Sequence, residues 1–146
     1  KKDYNEAIET LEQGLELVIS DTVLFEEFYI NLAHAHYEIK ASDKAFAYFD
    51  KALKMNPNNY IVLNNYAYYL SEEDKDLDKA LQMAEKVVEK FPQMPTYIDT
   101  YAWILFKKKD YKKAYEAMQN IISQKENWSP VVVQHYEEIL KALENQ

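Results

Sequence analysis

Small residues return in this chain at a fixed long interval. Ala33, Ala45, Ala52 and Pro57 follow one another at steps of 12, 7 and 5 residues. The same order recurs as Ala67, Ala80, Val87 and Pro92, with a first step of 13, and again as Ala102, Ala114, Ile121 and Glu126. The leading alanines stand 34 and then 35 residues apart. A period of this length marks a supersecondary unit that cannot bury its apolar face alone and does so by stacking on copies of itself. Few folds satisfy that constraint.

Each unit reads as two amphipathic helices joined by a tight polar turn, written "KASDKA", "SEEDKDLDKA" and "KKKDYKKA". The second turn is one residue longer, which accounts for the interval of 35. Small residues fall where two helix backbones must approach, toward the short end of the ~8–10 Å range. Large ones, such as Phe49, Tyr66, Leu70, Tyr101 and Leu105, fill the gaps between helices. Pro57 and Pro92 are expected to stop the second helix of their pairs, because a helix interior cannot accommodate the missing N–H. Composition agrees. One glycine and four prolines in 146 residues argue against an all-β chain, and 48% hydrophobic residues suffice for a core.

Three units in register resemble the tetratricopeptide repeat (TPR), over nearly the whole chain. The resemblance implies an all-α fold, a right-handed α-α superhelix (TPR solenoid) of antiparallel helix pairs, in a single domain. The expected parts are the second helix of a partial repeat at 3–19, repeats at 26–59, 60–94 and 95–128, and a capping helix at 129–144. "LDKALQMAEKVVEKFP" and "YIDTYAWILF" further resemble bacterial members of the family. Two departures stand out. Between Ala7 and Ala33 lie 26 residues where the later units leave 22, placing four extra residues near "VISDTV". On the last helix Tyr136 takes the place of Ala33, Ala67 and Ala102. A tyrosine blocks ordinary close packing there, so this helix either caps the array or lacks its partner, and capping is the expectation. Ser129 as N-cap, Pro130 in the first turn and Trp128 stapling onto Val133 signal its start.

Family geometry puts the first helix of each pair on a concave side, and helical periodicity then sorts the faces. Leu63, Tyr66, Ala67 and Leu70 form a core stripe. The groove stripes are Glu27, Ile30, His34 and Tyr37, edged by Asn31; Ile61, Asn64, Tyr68 and Ser71, edged by Asn65; and Thr96, Asp99, Trp103 and Phe106, edged by Thr100. On the last helix the stripe is Pro130, Val133, Glu137 and Leu140. The expected peptide-binding groove is therefore Asn31, His34, Tyr37, Asn64, Asn65, Tyr68, Asp99, Trp103 and Phe106. Aromatic anchors cost little conformational entropy and dominate interface energies, and asparagine amides can pair with a peptide backbone. Tyrosine and phenylalanine are also ordinary packing residues of the family, so a ridge against a neighbouring helix is the competing reading. Members that grip a C-terminal carboxylate use lysine, asparagine and arginine on successive inner helices. Ile30, His34, Asn65, Thr96 and Thr100 stand at those places, with no cation, so a carboxylate clamp is not expected.

No chemistry is expected. His34 and His36 flank Ala35 and point to different sides of a helix, His34 to the groove and His36 to the core as a satisfied structural histidine. His135 lies far along the chain and no H-E-x-x-H pattern occurs. Cysteine is absent, which excludes disulfides and leaves both reducing and oxidising compartments, bacterial cytoplasm or periplasm, open. Lys107, Lys108 and Lys109 suit the negative end of a helix. A net charge of −8 disfavours nucleic acid and anionic membranes, and no apolar run reaches the ~18 residues that a membrane span needs. The start, "KKDYNEAIE", is expected of a fragment of a longer protein. The expected role is a non-catalytic protein- or peptide-binding module without cofactors. The alternative is an architectural segment of a longer superhelix, or self-association through exposed repeat ends.

Overall fold

Proline punctuation and helical spacing both appear in the coordinates. The computed structural model describes residues 3–17 and 22–145. These form α1 (Tyr4–Leu17), α2 (Thr22–Glu38), α3 (Ser42–Met55), α4 (Tyr60–Glu72), α5 (Leu77–Lys90), α6 (Pro95–Lys107), α7 (Tyr111–Gln119), a 3-10 helix (Ile122–Asn127) and α8 (Pro130–Glu144). No strand occurs among the described residues. Helix α3 closes on Asn56 and α5 on Phe91, each directly before its proline. The third unit ends differently. Glu126 supplies no stop, yet α7 runs 9 residues against 14 in α3 and α5. It tightens through i→i+3 bonds, Asn120 N–H to the Ala117 carbonyl and Ile121 N–H to that of Met118, into the 3-10 turn.

The four extra residues of the first junction are accounted for. Helix α2 is 17 residues long where α4 and α6 are 13, so one additional turn stands ahead of the repeat register. Residues 18–21 of the stretch expected to carry them, among them the last two positions of the helix expected at 3–19, lie outside the described residues.

The three turns share one device. Lys40, Asp74 and Lys109 have positive φ (65°, 50° and 65°), each seven residues after the leading alanine of its unit. Around each, two backbone bonds close the helix. The N–H of Lys40 reaches the Tyr37 carbonyl and that of Ala41 the His36 carbonyl, both at 2.9 Å. Asp74 and Lys75 pair likewise with Ser71 and Leu70, and Lys109 and Asp110 with Phe106 and Leu105. This is the Schellman closure, usually built on glycine. Here lysine and aspartate carry the strain.

Two compact units divide the chain, Lys1–Val62 and Leu63–Gln146. In the first, α2 packs against α1 and α3, around Ile8, Leu32 and Ala35 with Tyr4, Leu11, Leu15 and Tyr48 at the margin. Gly14 permits the approach of α1, since a Cβ there would sit 2.6 Å from the Phe28 ring. In the second, α6 packs against α5, α7 and α8, and α8 also against α7. The residues that define the repeat, Ala33, Ala45 and Ala52 in one unit and Ala67, Ala80, Ala102 and Ala114 in the other, are all closed to solvent. Tyr136 finds room because α8 lies over α7: its ring stacks on Tyr115 at 6.3 Å and meets Trp128 edge-on at 5.4 Å. Val133, the expected staple partner of Trp128, is half-buried against the same cluster. Ser129 caps α8 as expected, its hydroxyl accepting the Val132 N–H at 3.4 Å. No helix among the described residues is long and apolar enough to cross a membrane.

Candidate functional site

In the second unit, α4 and α6 present their small and amide residues to one concavity. Asn64, Asn65, Tyr68 and Tyr69 come from α4, and Thr96, Asp99 and Thr100 from α6. The first turn of α8 closes it with Ser129, Val131 and Val132, leaving a cavity of about 330 Å³. Expected site residues Asn64, Asn65, Tyr68 and Asp99 are thus brought together. Asn64 is 5% exposed; its amide nitrogen donates to the Asn65 oxygen at 3.5 Å, while its own oxygen has no hydrogen-bond partner. An unpaired buried carbonyl costs free energy, about 1–3 kcal/mol for such a group. Burial, followed by the charges of Glu72 and Asp99, pushes the Tyr68 hydroxyl up to about 12. Among the described residues, Asp99 is the charged side chain that lines this cavity.

Two expected groove residues lie elsewhere. Trp103 was to face solvent and is 7% exposed. Its indole stacks on the His135 ring at 3.9 Å and on Phe106 at 4.7 Å, and its N–H donates to Glu72 at 2.8 Å. Phe106 is half-buried and turned toward Tyr111. Helix α8 has covered this stretch of wall with the chain's own side chains. Asp99, also 5% exposed, is held by the same helix: both carboxylate oxygens lie 2.9 and 3.1 Å from His135 Nδ1. Since an ionised carboxylate only accepts, Nδ1 carries the proton. Ser71, placed on the groove stripe, is fully buried and donates to the Tyr68 carbonyl.

On the helix that does this covering, Val132, His135, Tyr136 and Ile139 are buried, at the places that Leu63, Tyr66, Ala67 and Leu70 hold on α4. On its other stripe Pro130 and Glu137 are exposed and Val133 and Leu140 half-buried.

The first unit has its own concavity, about 600 Å³, where Asn31, His34 and Ala35 of α2 face Tyr4, Ala7, Thr10 and Leu11 of α1. Asn31 is exposed and His34 half-buried. Burial lowers the His34 pKa, opposed by Glu38. Tyr37 lies apart, half-buried beside Phe46 at 6.5 Å. His36 is buried, but neither ring nitrogen has a hydrogen-bond partner. It is held instead by stacking on Tyr48, 5.5 Å away and 9° from parallel.

Comparison with known proteins agrees with the all-α repeat fold. Family models described as tetratricopeptide repeat match residues 26–59 and 48–82. The chain is similar to the Sgt2 TPR domain of Aspergillus fumigatus, with a TM-score of 0.72 and 25% identity over 82% of this chain and 79% of that one. A tetratricopeptide repeat protein of Parabacteroides merdae ATCC 43184 shares the fold over 98% of this chain and 55% of its own, with a TM-score of 0.82 at 17% identity. Among curated proteins, ycf37 of Pyropia yezoensis is 31% identical over 71 residues. That stretch is 49% of this chain and 39% of the relative, so the chain spans well under two thirds of its length.

Proposed function

Because the chain is built of tetratricopeptide repeats, we propose that it is a non-catalytic protein-interaction module holding a segment of a partner polypeptide, with the cavity between α4, α6 and the head of α8 as a contact site. The observation that carries this reading is the buried, unpaired oxygen of Asn64 at the cavity wall. A backbone or side-chain N–H from a guest would satisfy it. Asn65 adds amide groups beside it, and Tyr68 offers a half-buried ring that is rigid at little entropic cost. Selection of random twelve-residue peptides against the domain tests the reading. Binders are expected, and Tyr68→Ala and Val131→Glu should each abolish their capture. Binders indifferent to both substitutions, or none at all, would remove the cavity as the contact site.

Self-association is a second reading with its own support. Leu17 and Val23, 81% and 65% exposed, with Leu24 beside Val23, leave apolar surface at the end of α1 and the head of α2. Sedimentation of the domain over a hundredfold concentration range tests it. A monomer throughout discards it.

A further inference from the structure

We infer that the cavity of the second unit takes up a basic side chain, the ammonium or guanidinium of a lysine or arginine carried by the partner polypeptide; this rests on the cavity being the contact site. Beside its amides and hydroxyls, two acceptors with spare capacity stand at its polar wall. Asp99 contributes a carboxylate, and among the described residues only His135 meets it. A single N–H shared between two oxygens leaves lone pairs on both. The unpaired oxygen of Asn64 stands at the same wall and likewise calls for a donor. Among the described residues no lysine lines the cavity. Just beyond it Glu72 adds a second negative charge, engaged by a neutral indole N–H. Burial first, and then the charges of Glu72 and Asp99, raise the Tyr68 hydroxyl.

The opposing influence is the positive end of α8, and it is nearly spent. Pro130 has no N–H, that of Val132 goes to the Ser129 hydroxyl, and that of Val133 to the Ser129 carbonyl. Only the N–H of Val131 remains in that first turn. About half a charge at a helix end does not outweigh two carboxylates. Space and shape also suit a long basic residue. At ~30 Å³ per water, the cavity has room for about ten waters, more than a four-carbon stem and its ammonium require. Tyr68, Val131 and Val132 would line the stem while the head reaches the acceptors, and the tyrosine ring adds a cation–π face.

The peptide selection described above supplies the test, read now for composition and charge. Selected peptides should be enriched in lysine or arginine. Replacing that residue by norleucine should weaken binding about tenfold to hundredfold, and Asp99→Asn should produce a similar loss. Because Asp99 is buried against His135, Glu72→Gln is run beside it; this exposed residue keeps an acceptor for Trp103. Thermal unfolding of each variant confirms that it is folded. Peptides that require Tyr68 and Val131 but show no basic enrichment, or bind both charge variants as well as the parent, overturn the inference and leave the contact site standing. Peptides that ignore Tyr68 and Val131 overturn both.

Discussion

His36 shows what a single group can cost. Its imidazole is 3% exposed, with neither nitrogen paired. The groups around it are Tyr48 and Lys44 on α3 and Glu12 on α1. Burial lowers its pKa first, Lys44 adds to that, and Glu12 opposes. A histidine whose folded pKa is depressed binds its proton more readily when unfolded. Stability is therefore full above about pH 6.5, the unfolded value, and is lost as pH falls toward the lower folded value. His34 shifts in the same direction and contributes with the same sign. The urea midpoint should drop between pH 7.5 and 5.5, and His36→Phe should flatten that drop by removing one of the two groups. An unchanged slope in the variant would discard the assignment. The positive-φ lysines make a converse case. Lys109 is exposed at φ 65°, where a side chain is strained and glycine is not. Lys109→Gly should stabilise by about 0.5–1 kcal/mol, read as a higher unfolding midpoint. None of this could be read by looking for glycine, because the chain's only glycine, Gly14, lies inside α1.

Among elements, α8 makes the largest difference to where Trp103 lies. The stacked alanines, the two proline stops and the Ser129 cap were legible because each follows from a local rule: close approach, a missing N–H, an orphan donor. The cover that α8 lays over Trp103 was not, because periodicity sorts the faces of one helix without saying which neighbour each face meets. Nor was the short α7, where no proline marks the end and the 3-10 turn carries a fully buried Ile121 into place. Trp103 turns on the same helix. With His135 above it and Phe106 alongside, Trp103→Ala should destabilise the fold by about 3–5 kcal/mol, whereas a solvent-facing residue would leave it largely intact. Chemical denaturation decides between these outcomes. At the cavity proposed as the contact site, α4 contributes Asn64, Asn65, Tyr68 and Tyr69, and α8 contributes Ser129, Val131 and Val132 while its His135 covers Trp103.

At the scale of the whole molecule, charge sets the working conditions. The chain carries −8 on 146 residues, so attraction of a basic guest extends beyond contact distance and is screened by salt. Raising ionic strength from about 0.05 to 0.5 M shortens the screening length from over 10 Å to under 5 Å. Peptide affinity should fall across that range, chiefly through slower association; a flat response would leave no part for long-range charge.

The stack of His135 on Trp103 also gives the domain an optical gauge of its own. An indole pressed against an imidazole emits weakly and, shielded from water, at the blue end of its range. Any event that lifts α8 from α6 should brighten and redden that light, so the seating of one helix can be followed without a label once the second indole, Trp128, is replaced by phenylalanine.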